Sequence, residues 1–174
     1  TVRSGETLLE AGLRADLPAG PLVYGSFYEA LPFDNSFASL RLPAAALREI
    51  LTANAVGPGA FLSVSGVRAT GRCEGGRLVL ALARENGAAL RDEEDLTFVV
   101  SDFLAMGGDG IFTDRHLRTG QVRFEQGEPM RETMAALLQQ RGGTLRSTDL
   151  HDRTHPRVAL PGQRPVRCPP ALPN

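Results

Sequence analysis

Apolar and polar positions change their period several times along the chain, and each change marks an element. Phe37 to Leu42 alternates imperfectly and reads as a strand. Pro43 then stands at a first helical position before Ala44 to Asn54, where Leu47, Ile50 and Leu51 share one face. Ala60 to Thr70 alternates through Phe61, Leu62, Val64 and Val67 and reads as a second strand. Glu74-Gly75-Gly76 reads as a hairpin turn, with Arg77 to Arg84 as its returning strand. Leu96 to Ser101 is a buried strand by its β-branched run, after a polar loop from Glu85 to Asp95. Pro129 opens a last helix, Met130 to Gln140, with Met134, Leu137 and Leu138 towards the core and Gly142-Gly143 at its end.

The remaining segments are less regular. Thr1 to Leu13 is a short helix or an arm, and Arg14 to Pro21 is a loop by its Pro and Gly content. Ser26, with Glu29 three residues on, predicts a capped short helix over Phe27 to Leu31, which Pro32 stops. A short strand is expected at Gln121 to Phe124, and the Pro- and Arg-rich stretch from Thr144 to Asn174 should be extended. Strands joined by hairpins, with helices between pairs of strands, predict an α+β fold with a mainly antiparallel sheet.

Composition narrows the class. With 174 residues and a net charge of -1, the chain can build one cored domain or two small lobes and carries no basic footprint of a nucleic-acid binder. All 19 basic residues are arginine, so most must be solvated surface. Cys73 and Cys168 could pair, but spacing alone does not show that they meet. No stretch is long and apolar enough to span a bilayer. Thr1-Val2-Arg3-Ser4 has no signal-peptide core and reads as a cut end.

Candidate chemistry concentrates in Ser101 to Phe112, S-D-F-L-A-M-G-G-D-G-I-F. Three glycines around Asp109 cost much backbone entropy and suit a chain that must bend sharply or approach something closely. Phe103 and Asp109 together suit a ligand with a ring at one end and hydroxyls beside it. The plainer reading is a glycine turn with Asp109 solvated and Phe103 in the core. His151 and His155 have an i, i+4 spacing, but Pro156 follows at once and only Asp149 and Asp152 are near as further ligands, which is a poor metal site. No serine or cysteine sits in a nucleophile motif.

Taken together, Y-G-S-F-Y-E-A-L-P-F-D-N (Tyr24 to Asn35), G-A-F-L-S-V-S-G-V (Gly59 to Val67) and D-F-L-A-M-G-G-D-G (Asp102 to Gly110) resemble the C-terminal domain of the 5'-nucleotidases. That family includes UDP-sugar hydrolases and 2',3'-cyclic phosphodiesterases. The resemblance implies an arm over 1–13, the domain over 14–143 and a tail over 144–174. It implies a domain that recognises the nucleoside end of a substrate. Hydrolysis would belong to a separate N-terminal metallophosphoesterase domain with two divalent metal ions, absent from this chain, and the chain alone would be inactive.

The resemblance also implies roles residue by residue. Phe33 and Phe103 would sandwich the base, and Asp109 would accept from both ribose hydroxyls. Asn35 would reach a base edge, or serve as an Asx-turn residue. Gly59 would bring its backbone close to the base, and Arg14, in Ala11-Gly12-Leu13-Arg14, would stand near ribose or phosphate. The family's asparagine five residues before that arginine is Leu9 here. A periplasmic, cell-surface or secreted location is implied, with a nucleoside or nucleotide ligand and the catalytic domain as partners. Two other functions compete: a decayed domain that only packs against a partner, and a hydrolase using His151 and His155.

Overall fold

The computed structural model describes residues 17, 19–58, 62–112, 122–142, 144, 146, 152 and 154–170. In chain order these form α1 (Tyr24–Ala30), β1 (Phe37–Pro43), α2 (Ala44–Val56), β2 (Val67–Glu74), β3 (Arg77–Arg84), β4 (Asp95–Ser101), α3 (Asp102–Ala105), a single 3-10 turn at Gly108–Gly110, β5 (Val122–Phe124), α4 (Met130–Gln140) and β6 (Val158–Ala159). The fold is α+β, with two three-stranded sheets ordered β4-β1-β5 and β3-β2-β6. All pairings are antiparallel except β2 with β6.

The alternation in β1 explains the main core. Ala38, Leu40 and Leu42 point inward and are buried, while Arg41 between them is exposed. They pack with Ala44, Leu47, Ile50 and Leu51 of α2, Ala69 of β2, Leu80 and Leu82 of β3, and Val100 of β4. Burial of each leucine, isoleucine or valine among them stabilises the fold by about 1.5–3 kcal/mol, and of each alanine by less. A smaller second core joins α1 to α4, with Phe27 and Ala30 buried against Met134, Ala135 and Leu138. Leu137, expected in the core, is instead exposed, because the face of α4 that meets α1 runs through Met134, Ala135 and Leu138.

Three further expectations are corrected. Helix α1 begins at Tyr24, so Ser26 lies inside its first turn and the expected capping box does not form; the ladder starts at the Val23 carbonyl, which accepts from Phe27 N–H at 3.2 Å. Strand β2 begins at Val67, not near Ala60. The preceding residues send their N–H groups to side chains, Leu62 to Asn54 Oδ1 (3.0 Å) and Gly66 to Glu85 Oε1 (3.2 Å), and Gly66 has φ +80. The tail is not merely extended: β6 pairs with Ala69 and Thr70 of β2, and Cys168 forms a disulfide with Cys73.

Candidate functional site

One pairing brings the two phenylalanine segments to the same end of the first sheet. Phe37, at the start of β1, lies opposite Ser101, at the end of β4. The P-F-D-N-S turn therefore enters the sheet where the D-F-L-A helix leaves it, and Asp102 N–H donates to Ser36 O at 2.9 Å. Helix α3 forms because Ser101 Oγ caps Leu104 N–H, at 3.3 Å, and Asp102 supplies a carboxylate in the first turn.

Neither phenylalanine is in the core: Phe33 is 39% exposed and Phe103 43%. The ring of Phe103 occupies the space that a side chain at Gly108 would need. A Cβ built there would lie 2.6 Å from Cδ1 of the ring. Gly107 (φ +93), Asp109 (φ +55) and Gly110 (φ +64) are all left-handed, and Asp109 is the one non-glycine residue with positive φ among those described. Aspartate tolerates this region better than most residues, but the conformation is still held at a cost. The turn presents the Asp109 carboxylate at the surface, close in sequence to the exposed ring. The pair offers a flat apolar face and a charged acceptor.

Asn35 is half-buried beside this end of the sheet, and its carbonyl accepts from Met130 N–H at 2.8 Å. Arg14 and Gly59 lie outside the described residues, as does His151. His155 Nδ1 meets Asp152 Oδ2 at 2.9 Å within a turn that Thr154 also closes onto Asp152. Those hydrogen bonds, first from Thr154 and then from His155, hold the Asp152 carboxyl well below the usual carboxylate range. Among the described residues no cluster of three or more His, Cys, Asp or Glu could hold a metal ion. No helix among them is long and apolar enough to cross a membrane.

The residue that sequence reasoning missed is Arg131, in the first turn of α4, which is only 5% exposed. Its guanidinium donates to the carbonyls of Leu31 (3.0 Å) and Phe33 (3.3 Å) and to Asp34 Oδ1 (2.6 Å). Its Nε faces Tyr24 Oη at 3.2 Å and Glu132 Oε1 at 3.3 Å, and its Cζ sits 4.4 Å from the centre of the Tyr28 ring. The hydrogen bond with Tyr24, then that with Asp34, holds its pKa further above the ordinary arginine value, against the opposing effect of burial. The signal in the sequence was slight: a cation in the first turn of a helix opposes the helix dipole, a poor place for an idle surface arginine.

Comparison with known proteins agrees with this architecture. A sequence model of the 5'-nucleotidase C-terminal domain matches residues 7–114. A 5'-nucleotidase precursor from Thermus thermophilus is similar in structure, with a TM-score of 0.66 and 26% identity over 86% of this chain and 30% of that one. The NAD nucleotidase of Haemophilus influenzae shares the fold, with a TM-score of 0.56 and 20% identity over 86% of this chain and 28% of that one. So does the sulfate thiohydrolase SoxB of Thermus thermophilus, with a TM-score of 0.57 and 17% identity over 88% of this chain and 28% of that one. The chain spans less than a third of the length of these relatives. No curated protein sequence matches it. The match over most of the domain, with the same α+β architecture around it, establishes that this chain belongs to the 5'-nucleotidase C-terminal domain family.

Proposed function

We propose that this chain recognises the nucleoside end of a nucleotide for a 5'-nucleotidase-type hydrolase. The observation that carries the reading is the exposed Phe103 ring lying on the bare backbone of Gly108, with Asp109 in a left-handed turn one residue further on. In this reading Phe103 and Phe33 stack the base, a contact that contributes on the order of 1–3 kcal/mol per base. The Asp109 carboxylate accepts from the ribose hydroxyls, and Asn35, Gly59 and Arg14 complete the pocket. Phosphate release falls to an N-terminal catalytic domain with two divalent metal ions. The Cys73–Cys168 disulfide supports a periplasmic, cell-surface or secreted location, since such bonds persist in oxidising compartments.

The test is an NMR titration of the chain with adenosine and AMP. The expected result is saturable shifts at Phe33, Phe103 and Asp109. Asp109→Asn, which keeps the shape and removes the charge, should weaken ribonucleoside binding by about 1–3 kcal/mol. Dideoxynucleosides should barely notice that change, and folding should move by only a few tenths of a kcal/mol. Equal losses for both ligands would reduce Asp109 to a loop-shaping residue. No binding at all would leave a domain that only packs against a partner.

A further inference from the structure

The turn that carries Phe33 is shaped from outside itself. Pro32 has no N–H to close a turn with. The carbonyls of residues 31 and 33 go to the Arg131 guanidinium, that of Asn35 to Met130 N–H, and that of Ser36 to Asp102 N–H. Arg131 alone grips three residues of the segment, because its third contact there is Asp34 Oδ1. Tyr24 and Tyr28, both from α1, also contact the guanidinium.

A buried cation is costly unless its donors are all paired, and an apolar residue could fill such a space with less desolvation. What an apolar residue lacks is a planar fork with five donors in fixed directions. From this we infer that Arg131 is a positioning residue for the candidate nucleoside site, one that sets the place and direction of Phe33 through the carbonyls and carboxylate of residues 31–34. The inference rests on the reading of Phe33 as a stacking residue. A small recess lined by Leu31, Phe33, Asn35, Met130, Arg131 and Met134 lies between the turn and α4.

The experiment compares Arg131→Lys, Phe33→Ala and the double variant by adenosine titration, thermal unfolding and the ring signals of Phe33. Arg131→Lys keeps the charge and loses the fork. It should weaken adenosine binding about three- to tenfold, the scale of one lost hydrogen bond. In the free protein it should move the Phe33 ring signals and leave those of Phe103 in place. In the Phe33→Ala background it should cost no further affinity, because a residue that acts through Phe33 has nothing left to act on. Additive losses, or unmoved Phe33 signals, would overturn the inference. Should Arg131→Lys not fold, Asp34→Ala removes one of the gripped groups from an exposed position and must move the Phe33 signals in the same way. If the unaltered chain binds no adenosine, the nucleoside reading fails by itself, and the ring signals still decide whether Arg131 positions Phe33.

Discussion

At the scale of single residues, the three glycines around Asp109 do different work. Gly107 and Gly110 are there for their left-handed backbone; Gly108, whose φ is ordinary, is there for space, because the Phe103 ring lies where its side chain would be. Gly108→Ala should therefore displace an exposed ring at little cost to folding, yet weaken adenosine binding by about 1–3 kcal/mol, the range of one base stack. Gly110→Ala should do the reverse, costing roughly 1–2 kcal/mol of stability for a strained φ. Thermal unfolding beside titration separates the two; a Gly108→Ala chain that is destabilised but binds normally would refute the assignment. The sequence displayed the glycines around an acid but not which of them served space and which served backbone. Arg131 was hidden more deeply, since one arginine among 19 gives no sign of which is buried. Only the family resemblance named Phe33 and Phe103 together, because 70 residues separate them and no periodicity links them.

At the scale of elements, boundaries were legible where local chemistry decides them. Helix α4 runs from Met130 to Gln140, as Pro129 and Gly142 imply, and β3 from Arg77 to Arg84, as the Gly75-Gly76 turn implies. They were not legible where a distant group decides them, as with the Asn54 and Glu85 side chains that delay β2. Helix α2 shows the same rule at its start. No side chain caps it; its first N–H groups, on Ala44 and Ala45, donate to the carbonyls of Glu94 (2.8 Å) and Asp92 (3.1 Å) in the loop before β4. Glu94 holds that loop in shape by accepting from Arg91 N–H (2.8 Å) and Arg84 Nη2 (2.7 Å). The Arg91 N–H bond first, and the Arg84 bond second, lower its pKa from the ordinary value. A carboxylate so lowered contributes stability above its unfolded pKa, about 4.3, and loses it as pH falls through the folded value. Glu94→Gln should accordingly melt below the unaltered chain at pH 7, with the gap closing in acid. A gap that persisted at about pH 2, well under that unfolded value, would show that charge is not the cause.

At the scale of the whole molecule, the tail is a structural strap. Arg164 Nε donates to Asn54 O (3.1 Å), Val166 N–H to Ala55 O (3.0 Å) and Arg167 Nη1 to Val56 O (3.3 Å), so residues 164–167 satisfy the last carbonyls of α2. The Cys73–Cys168 disulfide, joining residues 95 apart in sequence, ties the tail to β2 directly after these contacts. Cys73→Ser with Cys168→Ser should cost about 2–5 kcal/mol of stability, read by denaturant unfolding. Adenosine affinity should hold while the chain stays folded, since the candidate site lies at the end of the other sheet; a parallel loss of affinity would tie the strap to the site. The β1–β4 pairing has a consequence for synthesis. A ribosome releases Phe33 about 70 residues before Phe103, and Arg131 later still. No early stretch of the chain contains both sides of the site, and no hairpin along the way can assemble it. Phe33, Phe103 and the buried Arg131 can therefore come together only once α4 has emerged, late in synthesis of this chain.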